Sequence, residues 1–384
     1  MDSFDLTAVK QRCRGVSFVA ILLVTAFFCF VFFTPLFLLA FLVRLSCARF
    51  LVDTVVSTWF ALAVAVYELV YGLKVVVRGD AHKIRKQATM LIVMNHRTRV
   101  DWLFYFAVQA RYGSLRRFKI SLKDMLRHAP GAGWAMQAAH FLFLKRNWES
   151  DQKRIKAFLK HFQTMNSCPQ LLLFPEGTDL QPDSLQKSKN FAKKNDLPEL
   201  KYVLHPRTTG FTSMFNLMKT YNNLEQVLDV TIAYPHNLCQ DENDVISGNI
   251  PREVVFTVNC YDVTDVPSSS DSELVQWLGE RWRIKEELLK NFYEGKDNKS
   301  SHSNGFTFEQ NLEIERETKL VLLRALVFFT FISFACVCAI VYYSWFRWAF
   351  LILVVVNTFI SSTLGFHGLF ARLSQPNEEL ESRT

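Results

Sequence analysis

Hydrophobic residues are distributed unevenly, in long blocks at both ends of the chain and short runs between them. From Val16 to Val43 there is no charged residue, a stretch longer than the roughly 20 residues that cross a hydrocarbon core as a helix. It predicts an uncleaved membrane anchor kinked at Pro35, since a cleaved signal peptide has an apolar region of only about 7 to 15 residues. The next stretch, Thr54 to Val66, lies between Asp53 and Glu68 and is short for a span. An interfacial or re-entrant helix is expected there. Near the other end, Ala325 to Phe346 and Trp348 to Phe366 are separated only by Arg347 and are rich in aromatics, the pattern of a transmembrane hairpin.

Between these blocks, short apolar or β-branched runs read as strands: Leu73 to Val77, Met90 to Met94, Phe141 to Leu144, Gln170 to Phe174, Tyr202 to Leu204, Val230 to Ala233 and Val254 to Val258. Helical periodicity occurs over Trp102 to Tyr112, Gln152 to Met165, Ser184 to Lys194 and Leu274 to Phe292. Strands alternating with helices indicate an α/β domain with a largely buried sheet. The predicted organisation is an N-terminal anchor and interfacial helix (1–71), the α/β domain (72–293), a polar linker (294–319), and a C-terminal hairpin and tail (320–384).

Composition fits this division. Of 384 residues, 50% are hydrophobic, 35 are phenylalanine, and 21% are charged, a mixture unlike either a polytopic transporter or an ordinary soluble enzyme. Basic residues crowd the stretch from Lys74 to Arg127, within a net charge of +8. Beside a membrane anchor, this charge suits anionic headgroups and an anionic substrate, or equally a solvated surface obeying the positive-inside rule. The cysteines form no CxxC pair, so neither zinc nor a disulfide framework is expected. The sequon Asn298-Lys299-Ser300 falls in the polar linker.

Two signatures carry candidate chemistry. In Asn95-His96-Arg97-Thr98-Arg99-Val100-Asp101-Trp102, a histidine and an aspartate stand five residues apart after an apolar strand. A neutral imidazole can take a proton from a hydroxyl, and a carboxylate can fix its tautomer and stabilise the imidazolium. Taken alone, Asp101 reads equally as a helix cap. The second signature, Phe174-Pro175-Glu176-Gly177-Thr178, also follows a strand. Alone it is a turn; beside the first motif, Gly177 admits backbone amides to an oxygen-rich ligand and Thr178 adds a hydroxyl. Glu176 either accepts hydrogen bonds from a polyol or organises basic phosphate ligands. No serine or cysteine nucleophile motif accompanies them, which implies direct transfer. In open α/β sheets ligands bind at the carboxyl ends of strands, where the two motifs would meet if their strands were neighbours.

With its NHxxxxD and FPEGT blocks, the chain resembles the glycerophospholipid acyltransferase family. Further blocks, GAGWAMQAA (131–139), VLHPRTTGFT (203–212) and AYPHN (233–237), resemble its lysocardiolipin branch. The resemblance implies an acyltransferase-type catalytic domain with His96 as general base, Asp101 as its orienting partner, and Glu176, Gly177 and Thr178 in the acceptor or phosphate site. By the same resemblance, Arg146 would bind phosphate through its planar fork of donors and Pro206 would lie toward the acyl chain. His205 and Arg207 depart from the more apolar residues of many members. The implied reaction transfers an acyl group from acyl-CoA, a co-substrate rather than a cofactor, to an anionic lysophospholipid at the endoplasmic reticulum membrane, with no metal and no nucleic-acid partner. The alternatives are a lysophosphatidic acid acyltransferase and a non-catalytic lipid-binding scaffold.

Overall fold

A computed structural model of the protein describes residues 6–43, 45–129, 131–145, 147–296, 303–363 and 365. The sequon and Arg146 lie outside them.

The central strand, Met90–Met94, consists of five apolar residues, all buried. A strand sends alternate side chains to opposite faces: Met90, Ile92 and Met94 join one hydrophobic cluster, Leu91 and Val93 another. Burial on both faces explains the unbroken apolar run. Strands β1 (Lys74–Gly79), β2 (Met90–Met94), β3 (Phe118–Lys123), β4 (Leu142–Leu144), β5 (Gln170–Leu173), β6 (Gln226–Ala233) and β7 (Glu253–Asp262) form one sheet in the order β1-β7-β6-β2-β5-β3-β4. Every pairing is parallel except that of β6 with β7.

Helices α1 (Leu6–Val43), α2 (Leu45–Ala65) and α3 (Asp101–Arg111) supply the first cluster. A short α4 (Ala132–Ala138) packs on α1, while α5 (Trp148–Thr164), α7 (Thr208–Asn222) and α9 (Asp271–Tyr293) cover the other face. The more exposed α6 (Pro182–Lys194) follows the second signature, and α8 (Glu242–Ile246) follows β6. The C-terminal pair is α10 (Phe308–Tyr342) and α11 (Ser344–Thr363).

Among the described residues, four helical stretches are long and apolar enough to cross a membrane: Val9–Ala40, Cys47–Val70, Phe308–Tyr342 and Ser344–Thr363. The second corrects the short interfacial helix expected over Thr54 to Val66. Arg49 and Asp53 sit one turn apart and pair at 2.9 Å, so the helix continues through the charges that bound the apolar run. The α1 helix also runs through Pro35 without ending.

The C-terminal break falls at Tyr343, not Arg347. The Arg347 guanidinium reaches back to the carbonyls of Ile340 and Val341 at 3.2 and 3.0 Å, satisfying acceptors that a helix end leaves open. Residues 308–319, read as linker, are already helical behind a capping box of Thr307 and Gln310.

The expected strand Tyr202 to Leu204 is instead a loop, because the Glu286 carboxylate takes the amides of Lys201, Tyr202 and Val203 at 2.7, 2.8 and 3.2 Å. In β3, unassigned from sequence, buried Phe118 and Ile120 flank a buried Lys119, whose ammonium meets Asp53 at 3.3 Å. That internal charge masks the strand's apolar pattern.

Candidate active site

Both signatures leave the carboxyl ends of adjacent interior strands, β2 and β5. Strands β2 and β5 are parallel neighbours in register from Met90 with Gln170 to Val93 with Leu173, so His96 and Glu176 emerge side by side. Asn95, the first residue of its motif, is fully buried and extends the β2–β6 pairing: its Oδ1 accepts from the Ile232 amide at 2.8 Å and its Nδ2 donates to the Ile232 carbonyl at 3.3 Å. This clamp fixes the direction in which the chain leaves β2.

His96 Nδ1 lies 3.1 Å from Asp101 Oδ2. The imidazole stacks on Phe174 with ring centroids 4.1 Å apart and is 16% exposed, against 0% for Asp101. Asp101 opens α3, but the capping position is Val100. The Asp101 carboxylate reaches back instead, accepting the Thr98 amide at 2.9 Å, the Thr98 hydroxyl at 2.8 Å and the Tyr234 hydroxyl at 2.6 Å. Donors of this kind stabilise a buried carboxylate as the anion. Burial, and then the adjacent Asp101 charge, push the Tyr234 hydroxyl well above its ordinary pKa, so it remains a donor. With Nδ1–H turned to Asp101, the lone pair of the neutral imidazole lies on Nε2, which makes no hydrogen bond with any described residue.

Glu176 departs from the sequence expectation. Only 3% exposed, it spends both oxygens inside the protein: Oε1 accepts from the His96 amide and the Trp282 indole, each at 3.2 Å, and Oε2 from the Leu204 amide at 3.1 Å. The carboxylate is therefore a brace between loops, with both oxygens engaged inside the protein. Burial pushes its pKa up to about 8 against the opposing pull of these donors and of Lys285.

The next loop is tied to the same place. Gly177 adopts φ +74°, and a Cβ there would stand 3.2 Å from Arg207 Nε. The Arg207 amide donates to the Pro175 carbonyl at 2.8 Å, which seats Pro206 beside the signature turn. Thr178 is half-buried and donates to Asp179 at 3.4 Å. His205 is held by its own contacts, its amide on Ser188 at 2.9 Å and Nε2 beside the Pro198 carbonyl at 3.0 Å.

Tyr234 and Trp282 were not singled out from sequence. Tyr234 lies within the AYPHN block and directly after a strand, a signal that could have found it. Trp282 sits in an ordinary amphipathic helix pattern and carries no such signal.

Comparison with known proteins agrees with this geometry. The Acyltransferase family model matches residues 74–235, and the Acyltransferase C-terminus model matches residues 244–326. The chain is 38% identical to lysocardiolipin acyltransferase 1 of Gallus gallus over 93% of this chain and 92% of that protein. It is 44% identical to the protein of the same name from Danio rerio, over 73% and 72%. Lysophosphatidylinositol acyltransferase 10 of Caenorhabditis elegans is 36% identical over 83% of this chain and 82% of its own length. By its sequence, and with a mixed α/β sheet carrying the signature residues at the carboxyl ends of two adjacent strands, the chain belongs to the acyltransferase family.

Proposed function

We propose that this protein is a membrane-bound, acyl-CoA-dependent lysophospholipid acyltransferase acting on an anionic acceptor such as lysocardiolipin, lysophosphatidylinositol or lysophosphatidylglycerol. The observation that carries the reading is the 3.1 Å contact between His96 Nδ1 and the buried Asp101, which leaves Nε2 as the base. His96 removes the acceptor's hydroxyl proton as that oxygen attacks the thioester carbon. The carbon–sulfur bond then breaks, and the departing thiolate takes the proton back from the imidazolium, whose charge Asp101 offsets.

The substrate class is supported by the relatives' names and by the two arginines, Arg97 and Arg99, inside the first signature. Trp102, next to Asp101, also lines a wholly apolar cavity with Phe60, Met136 and Phe141, a surface suited to a hydrocarbon chain. Arg146 is the proposed phosphate ligand, and Gly177, Thr178 and Pro206 are proposed to contribute to the acceptor site from the turn after β5 and the loop tied to it. The four apolar helices support a multi-pass arrangement, and the proposed location is the endoplasmic reticulum membrane.

The test is acyl transfer from labelled oleoyl-CoA by purified wild-type and His96→Ala protein, across the three lysolipids and lysophosphatidic acid. Loss of a general base lowers the rate by about 10²- to 10⁴-fold, so product from the folded variant at the wild-type rate would refute the assignment. Preference for lysophosphatidic acid would move the protein to that branch, and folded wild type inactive on every acceptor would refute the enzyme reading.

A further inference from the structure

Helix α9 lies outside both signatures, yet one of its faces reaches each half of the His96–Asp101 pair. Trp282, Lys285, Leu289 and Tyr293 follow at intervals of three and four residues, the spacing of one helix face. Trp282, Lys285 and Leu289 are each 1% exposed. The Trp282 indole donates to Oε1 of Glu176, the same oxygen that accepts the His96 amide. Lys285 lies over the Trp282 ring at 5.3 Å, and its ammonium pairs with Asp229 of β6 and donates to the Val230 carbonyl and Thr231 hydroxyl. The Tyr293 hydroxyl accepts the Tyr234 amide at 3.2 Å, and Tyr234 in turn holds Asp101.

We propose that Trp282 is a positioning residue for the reaction: its indole N–H orients the Glu176 carboxylate, which holds the backbone of His96, so that α9 sets where the base sits. Lys285 and Tyr293 complete the support by fixing β6 and Tyr234. A tryptophan is required because a packed aromatic ring alone would fill the space without offering a donor. Glu176 is buried and its loop has no second side-chain donor on it, so the indole is its one adjustable contact among the described residues. The groups that face Glu176 are His96 from the loop after β2, Leu204 by its amide, and Trp282 and Lys285 from α9, with Asp229 of β6 behind Lys285. Losing the indole N–H removes one donor to the ionised carboxylate and favours its protonated form.

The proposal rests on His96 as base, and Trp282→Phe in the full-length protein tests it. Hydrogen bonds to charged groups are strong, so at a pH above about 8, where Glu176 is ionised, kcat should fall by about 10-fold or more, with KM for both substrates changed by less than about twofold. The acidic limb of the pH–rate profile should move to higher pH. In a Glu176→Gln background the same substitution should add little, because the two residues act as one unit. Trp277→Phe, five residues earlier on α9 and stacked on Phe211, is the control for packing alone and should reproduce none of these changes.

A measurement independent of turnover is the indole N–H resonance of Trp282, assigned by its absence in Trp282→Phe. It should titrate with pH in wild type and cease to do so in Glu176→Gln. An unchanged kcat in Trp282→Phe, full additivity with Glu176→Gln, or an indole resonance that does not follow Glu176 would each overturn the proposal. Wild-type protein inactive on every acceptor, with the indole still titrating, would sink the reaction and leave the contact standing.

Discussion

The backbone amide of His96 donates to the side chain of Glu176, 3.2 Å away across two neighbouring parallel strands. The second signature thus holds the first in place through its carboxylate, while the His96 ring stays free to face a substrate. By position Glu176 braces the proposed base, and its hydrogen bonds are made to the protein itself.

Replacing Glu176 with glutamine exchanges an acceptor for an amide donor that must face one of three N–H groups. A buried donor left without a partner costs about 1–3 kcal/mol, so relative to the ionised carboxylate, which prevails above about pH 8, the variant should lose stability by that order and lose kcat more than it raises KM. Thermal unfolding and steady-state kinetics on the same preparation check both.

The pH dependence of stability carries a definite sign. Burial raises the Glu176 pKa to about 8 from an ordinary value of 4.5, so between those values the folded protein holds a proton that the unfolded chain releases. Stability from this group is full below about 4.5 and declines as pH rises toward 8. The difference in unfolding free energy between wild type and Glu176→Gln should therefore change with pH across that window. A flat difference would contradict the burial of this carboxylate.

Tyr234→Phe removes the 2.6 Å hydrogen bond to Asp101 and leaves the ring packed. Asp101 keeps Thr98 and His96, so the pair survives with a less constrained carboxylate. A loss of about 1.5–3 kcal/mol is expected for a hydrogen bond to a charged group, divided between stability and kcat. Asp101→Asn should be far more damaging to kcat, because its amide cannot accept from all the donors that Asp101 now serves.

At the far end of α3, Arg111 is buried and pairs with Glu68 at 2.9 Å and Glu315 at 2.6 Å, linking the N-terminal helices to α10. Glu315 has a half-exposed side chain whereas Glu68 is largely buried. Arg111→Met strands a buried charge and should cost about 3–5 kcal/mol; Glu315→Gln should cost less than about 1 kcal/mol. Melting temperatures in one detergent would separate them.

Gly177→Ala combines a left-handed backbone with a Cβ that meets Arg207. The conformation alone costs about 1–2 kcal/mol, and the loop carrying Pro206 should shift with it. Reduced activity with altered substrate KM is the expected result, read from kinetics at matched folded fraction.

The order of hydrophobic and polar positions was enough to determine three of the four membrane-length stretches, the strand Met90–Met94 and, to within one residue, the strand Gln170–Leu173, and the placement of each signature directly after a strand. These are local properties, and periodicity and spacing report them faithfully. Only the tertiary structure decided that those two strands are neighbours, that Glu176 turns inward, and that Tyr234 and Trp282 complete the site. A side chain's type states which hydrogen bonds it can make; its partners lie far along the chain, and packing alone chooses among them. The same reason hid β3 and lengthened α2: Lys119, Asp53 and Arg49 look solvent-bound one at a time, and become compatible with buried structure only when folding brings them together.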